Sequence, residues 1–220
     1  MGLRAVVFDY GMVLTGPPSP EAHAALMRIT GLPLDRFESF YWADRHAYDE
    51  GKLTGMAFWQ KLNRDAGLSL RQDQIEELNL WDVRMWTTQD PVMVAWQQQL
   101  KQHGLLTAIL SNMGDDVLAN IEREFEWIHR FDVQVWSYQL SIAKPDPAIY
   151  CYTLKELGIQ PQEALFLDDK TVNIDAARAL GMQAVEFTTV ERLRVDLIAA
   201  GLDKELPLPG QLLTSINSVI

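Results

Sequence analysis

Asp9, Ser111, Lys144 and the pair Asp168-Asp169 are the residues of this chain whose types and surroundings suit catalysis. Asp9 follows the apolar run AVVF at 5–8. A carboxylate fixed at the end of a buried strand is held rigidly enough to act as a nucleophile, though an aspartate there also caps turns. Ser111-Asn112-Met113-Gly114 offers a hydroxyl, an amide and a glycine-permitted loop ahead of a helix. That combination can cradle phosphate oxygens, and it is equally ordinary turn chemistry. Lys144 precedes Pro145-Asp146-Pro147, a proline-stiffened helix start, where its ammonium either neutralises a phosphoryl group or stands in solvent. Asp168 and Asp169 end the run ALFL, and Asn173 follows. Adjacent carboxylates repel unless a cation lies against them, and hard oxygen ligands of this kind suit Mg²⁺.

The elements that must position these residues are legible in the apolar pattern. Short runs at 5–8, 105–110, 164–167 and 183–187 are apolar almost throughout, as parallel strands buried on both faces should be. Helices fall between them. Asp90-Pro91 opens one that Gly104 closes, Asp146-Pro147 opens another that ends at Gly158, and Ile174, Ala177 and Leu180 lead to Gly181. Alternating strands and helices predict an α/β fold with a doubly wound parallel sheet, whose ligands bind beyond the carboxyl ends of the strands. Three of the runs deliver polar or acidic residues there.

Residues 16–89 interrupt the alternation and read as helices alone. Ser19-Pro20 caps the first, which ends at Gly31; Asp35 caps a second bearing Phe37, Phe40 and Tyr41. Thr54 opens a third with Phe58, Trp59 and Leu62, and a fourth lies near 70–80 with Ile75 and Leu78. So many large apolar residues predict a small bundle with its own core. The expected organisation is a core of 1–15 and 90–220 with an all-helical cap, 16–89, inserted after the first strand. The seven tryptophans read as packing.

Taken together, FDYGMVLT, ILSN, the lysine of AKPDPAIY and FLDDKTVN resemble, in order and placement, the four motifs of the haloacid dehalogenase superfamily of aspartate-nucleophile phosphatases. The likeness is nearest to small sugar-phosphate phosphatases and the phosphatase domain of soluble epoxide hydrolases. The resemblance implies a Rossmann-like core and Asp9 as nucleophile, with Ser111, Asn112 and Lys144 binding phosphate. It implies Mg²⁺ held by Asp9, Asp169 and the Gly11 carbonyl, with Asp168 and Asn173 in support. The expected reaction is hydrolysis of a small phosphorylated metabolite through an aspartyl-phosphate. The alternatives are a 2-haloacid dehalogenase using the same nucleophile on carbon, and a non-catalytic binding or regulatory protein.

Gly11 departs from the pattern, because most phosphatases of this superfamily carry a second aspartate there as acid and base. Such proton transfer is worth about 10²–10⁴ in rate. If nothing replaces it, aryl and anomeric phosphates should react faster than alkyl ones; His46 in the cap is the first candidate donor. Arg45, His46 and Tyr48, just before Glu50-Gly51, are candidate substrate contacts, or simply a solvated helix end.

The bulk composition excludes other classes. With 30 acidic against 19 basic residues, the net charge of −11 disfavours nucleic acid and anionic lipid, since binding either needs clustered Lys and Arg. No apolar run reaches the roughly 20 residues of a membrane span, and MGLRAVVFDY runs into a strand too early for a signal peptide. The single cysteine, Cys151, allows no internal disulfide and is expected on a helix without chemistry. These features predict a cytoplasmic protein with a small-molecule partner, and none of them assigns an oligomeric state.

Overall fold

The computed structural model describes residues 2–211, so the stretch 212–220 of the expected core lies outside them. The chain begins with β1 (Ala5–Phe8) and then runs through five helices. These are α1 (Pro20–Thr30), α2 (Leu34–Ala43), α3 (Arg45–Asp49), α4 (Gly55–Asp65) and α5 (Gln72–Met85). The alternating part follows: α6 (Pro91–Gln102), β2 (Leu106–Ser111), α7 (Asp115–Glu124), β3 (Val133–Trp136) and α8 (Ser137–Leu140). It closes with α9 (Pro147–Leu157), β4 (Ala164–Asp168), α10 (Thr171–Ala179), β5 (Gln183–Glu186) and α11 (Val190–Ala199).

All strand pairs are parallel, in the order β3-β2-β1-β4-β5. Register then dictates the site. Phe8 pairs with Ile109 on one side and Leu167 on the other, so Asp9, Ser111 and Asp168 emerge together at the carboxyl edge. Side chains alternate across the sheet, as a two-residue period requires. Val6, Phe8, Ile109 and Leu167 join one buried cluster with Trp96 of α6, Ile121 of α7 and Leu193 of α11. Val7, Ala108, Leu110 and Phe166 join the opposite one with Ile149 of α9 and Ile174 of α10.

The segment between β1 and α6 buries a third cluster, which includes Leu26, Phe37, Tyr41, Phe58, Trp59 and Leu78. Its two connections to the sheet lie side by side. Thr15 bridges Gln89, Gly16 N donates to Thr88 O at 2.7 Å, and Asp90 N donates to Leu14 O at 2.9 Å.

Several local expectations change. Asp35 is not a helix cap: α2 starts at Leu34 after Pro33, with no side-chain cap bond. Asp35 instead lies in the first turn, where its charge faces the positive end of the helix dipole. α5 runs on to Met85, beyond the expected end near 80. The fifth strand, β3, occupies a sheet edge, and two of its four residues are only half-buried, so it lacked the continuous apolar signature. Cys151 lies on α9, exposed and in no disulfide. No helix among the described residues is long and apolar enough to cross a membrane.

Candidate active site

Asp9 is buried at the end of the central strand, and its two carboxylate oxygens are used differently. Oδ1 accepts from the Tyr10 backbone N–H at 2.7 Å and from Ser111 Oγ at 2.7 Å, and Lys144 Nζ stands 3.0 Å away. Oδ2 accepts no hydrogen bond from any described residue. One oxygen is thus fixed by three donors, which aims the other. Gly11 follows, and the chain turns through Met12 in the left-handed region at φ 62°.

Lys144 is 3% exposed and sits between two carboxylates, 3.0 Å from Asp9 Oδ1 and 2.6 Å from Asp168 Oδ2. Burial works against its charge, but Asp9 and Asp168 outweigh that and hold the ammonium above its ordinary range. Asn112 clamps the lysine backbone: its Nδ2 donates to Lys144 O at 2.9 Å and its Oδ1 accepts from Lys144 N at 2.8 Å. The side chain expected to bind phosphate is therefore committed to positioning the loop that carries the lysine.

Asp168 is fully enclosed. Besides Lys144 it accepts from Lys170 N at 2.9 Å and from Asn173 Nδ2 at 2.9 and 3.0 Å. Its lone pairs are largely committed, so it orients Lys144. Asp169 is the opposite case, since its carboxylate accepts no hydrogen bond from any other described side chain. Burial, and then Asp168 beside it, push its carboxyl upward.

One oxygen from each of Asp9, Asp168 and Asp169 lies within 4.8 Å of the others. Three carboxylates against one embedded ammonium leave an excess of hard, negative oxygen, and Asp169 is the member with free lone pairs. The donor set therefore fits a small hard dication such as Mg²⁺.

Asp9 carries a measurable consequence. Burial, with a smaller push from Asp168, raises its carboxyl to about 6 despite the pull of Lys144 and the bond from Ser111. The unfolded chain ionises this group near 3.8. The fold therefore binds that proton more tightly, and the corresponding stability is whole below about pH 4 and lost as pH rises through about 6. A dication favours the ionised form, so added Mg²⁺ should raise the melting temperature little near pH 5 and clearly near pH 7.5. Equal shifts in a differential scanning measurement at both pH values would contradict this.

Asp9, Ser111, Asn112, Lys144 and Asp169, but not Asp168, open on a cavity of about 300 Å³, lined also by Gly11, Met12, Trp42, Arg45, Asp49, Trp86 and Lys170. The three candidate substrate contacts separate. Arg45 lines the cavity, but it is buried rather than solvated, with Nη1 2.9 Å from Asp82 Oδ1 and Nε 3.0 Å from Asp49 Oδ1. His46 points away, its side chain 66% exposed and 3.7 Å from Glu50. Tyr48 is fully buried, stacked on Phe58 and so close to Gly114 that a Cβ there would meet its ring at 2.2 Å. Asp49 and Lys170 went unnoticed in the sequence. The spacing of Arg45 and Asp49, four apart and on one helical face, was the available signal for the first.

A family model for haloacid dehalogenase-like hydrolases matches residues 3–181. The chain belongs to that family. It is 30% identical over 190 residues to phosphatase MT3486 of Mycobacterium tuberculosis, covering 84% of this chain and 87% of that protein. It is 28% identical to (S)-2-haloacid dehalogenase 4A of Burkholderia cepacia, covering 84% and 83% of the two chains. It also matches acyl-CoA dehydrogenase family member 10 of Mus musculus at 30%, over 94% of this chain but only 20% of that protein's length. Among solved structures, HAD family enzyme bt-2542 of Bacteroides thetaiotaomicron superposes with a TM-score of 0.73 at 20% identity, covering 86% of this chain and 95% of that one. That enzyme was also crystallised with magnesium and inorganic phosphate. The chain is thus a hydrolase with the parallel α/β fold of this family.

Proposed function

We propose that this hydrolase is a Mg²⁺-dependent phosphatase that cleaves a small, sugar-like phosphomonoester through an aspartyl-phosphate. The observation carrying this reading is the unpartnered Oδ2 of Asp9, in the same cavity as Lys144 and the uncommitted carboxylate of Asp169. In this reading residues 16–89 are a cap that closes the cavity over the core formed by 1–15 and 90–220.

Asp9 Oδ2 attacks phosphorus in line with the leaving oxygen. Lys144 offsets charge on Asp9 and on the phosphoryl oxygens, where most phosphoryl-transfer catalysis lies. Ser111 Oγ holds Asp9 for attack and can turn its hydroxyl to a phosphate oxygen, as a hydroxyl rotor allows. Asp9, Asp169 and the Gly11 carbonyl would hold Mg²⁺, which supplies the further positive charge those oxygens need. Water then attacks the acyl phosphate and restores Asp9. Trp42 and Trp86 line the cavity together with Arg45 and Asp49, so its wall combines aromatic surface with hydrogen-bonding groups, as suits a hydroxylated carbon skeleton.

The dehalogenase alternative fits less well, because the uncommitted carboxylate of Asp169 would repel a haloacid's own carboxylate. A phosphate-release screen over phosphorylated metabolites tests the proposal, with Mg²⁺ and with chelator. Release confined to the Mg²⁺ samples supports it; release unaffected by chelator, or halide release from a 2-haloacid, contradicts it.

The two acidic neighbours should separate in a metal titration. Asp169→Asn removes a free ligand and should raise the Mg²⁺ concentration for half-maximal activity about 10-fold or more. Asp168→Asn disturbs Lys144 instead and should lower kcat with a smaller change in Mg²⁺ requirement. Equal shifts would mean that the ligand roles are wrongly divided.

A further inference from the structure

The absent carboxylate at Gly11 leaves real space. Gly11 lines the cavity, an added Cβ would meet nothing within 4 Å, and its φ lies outside the left-handed region. His46 is not among the lining residues, so a side chain that gives the leaving group its proton is to be sought among the other ionisable groups on the cavity wall. Asp9 is the nucleophile, Lys144 is locked between two carboxylates, and Asp169 faces the acidic cluster. Lys170 lies against Asp169, whose charge it offsets. Arg45 holds its proton too strongly, because Asp49 and Asp82 outweigh the effect of burial. Tyr10 also lines the cavity, but its hydroxyl donates to Trp86 O at 3.1 Å, and burial, with Glu124 adding to it, holds its proton more tightly still. Asp49 is left.

Its surroundings suit the task. Asp82 takes the guanidinium more fully, with Arg45 Nη1 at 2.9 and 3.0 Å from its two oxygens, and it also accepts from Tyr41 Oη at 2.7 Å. Asp49 receives only Arg45 Nε, on Oδ1. Oδ2 has no partner among the described residues, and the side chain is 17% exposed, on the cavity. Ser137 Oγ donates to the Asp49 backbone carbonyl and anchors the end of α3 to the start of α8. Two buried carboxylates thus share one guanidinium. Burial, with Asp82 adding to it, pushes the Asp49 carboxyl up against the pull of Arg45 and Lys170, the direction that favours a proton donor.

We propose that Asp49, from the helical segment between β1 and α6, is the acid and base of this site; the inference rests on the phosphatase reading. As the bond from Asp9 Oδ2 to phosphorus forms, the bond to the leaving oxygen breaks, and its electron pair accepts the proton from Asp49 Oδ2, releasing the alcohol. Water then attacks phosphorus and gives its proton to Asp49, while the electron pair of the acyl-phosphate bond returns to Asp9. Both groups end as they began, with one phosphomonoester and one water converted to alcohol and phosphate.

The test compares kcat/KM for glycerol 3-phosphate and p-nitrophenyl phosphate with Mg²⁺ present. Asp49→Asn keeps an oxygen for Arg45 Nε but has no proton to give. It should lose about 10²–10⁴ on the alkyl ester and change little on the aryl ester, whose leaving group needs no proton. A retained aryl kcat/KM, which reports transfer to Asp9 and not the later hydrolysis that also uses Asp49, shows in addition that the variant is folded. Adding Gly11→Asp to Asp49→Asn should recover part of the alkyl activity. Equal losses on both substrates, as from a purely structural role, overturn the assignment, and so does no loss on either. In the wild-type protein a shallow dependence of kcat/KM on leaving-group basicity supports it and a steep one overturns it, whatever the variant's stability. If the wild-type protein releases phosphate from neither ester nor from any other phosphomonoester, the phosphatase reading itself fails.

Discussion

Asp9→Asn should abolish turnover, by a factor on the order of 10⁵ or more, because the variant lacks the attacking group and such losses are not made up elsewhere in a site. The fold should not suffer. The amide matches the carboxylate in size, and its oxygen can still accept from Tyr10 N and Ser111 Oγ. Burial already disfavours the ionised form of Asp9, as its rise to about 6 shows. Without metal near pH 7, the variant should therefore melt no lower than the wild-type protein. A dead enzyme of undiminished stability is the expected signature, read by steady-state kinetics together with a thermal melt. An Asp9→Asn protein that turns over at the wild-type rate would remove the nucleophile from the mechanism. One that is dead but melts far lower would make the loss one of folding.

Lys144→Met should be costly in both respects. Methionine conserves much of the volume over Phe166, whose ring lies 5.5 Å from Nζ. It leaves Asp9 and Asp168 facing each other without their shared cation. Removing one partner of a buried ion pair costs about 3–5 kcal/mol, because the remaining charge stays desolvated. Without the ammonium the Asp9 carboxyl, which burial already raises, should hold its proton to still higher pH in the fold. Stability is then retained at low pH and lost as pH rises, so the deficit should be larger near pH 7.5 than near pH 5. Turnover should fall by about 10²–10³ even where the variant is folded, the usual cost of removing a group that stabilises transition-state charge. Melts at two pH values and a rate measurement check this. A variant that melts with the wild-type protein at both pH values would show that the cation is not what holds the cluster.

Asp9, Ser111 and Asp168 were legible in the sequence because the strands are short, apolar and central. A run buried on both faces has only its carboxyl end free for polar groups, and parallel register aligns those ends. β3 escaped notice for the complementary reason: at a sheet edge, Val133 and Gln134 need not be apolar and fully covered. α3 is five residues long, so the Arg45–Asp49 pair, four apart, is its whole helical signature. The role of Asn112 depends on a loop 32 residues away, to which no local pattern points. The burial of Arg45 likewise depends on Asp82, 37 residues later on another helix. Without that partner in view, the polar stretch from Asp44 to Glu50 reads as a solvated helix end. Long-range pairing converts it into a cavity wall.

The covalent intermediate is the most direct test of the central claim. The wild-type protein with Mg²⁺ is mixed in excess with a ³²P-labelled phosphomonoester that the release screen shows it to cleave, quenched in acid within one turnover, and digested. The account predicts label on the peptide carrying Asp9, released by hydroxylamine as acyl phosphates are, and none on Asp9→Asn or on chelator-treated protein. Phosphate released from wild-type protein with no label trapped on Asp9 at any time within the turnover would contradict it.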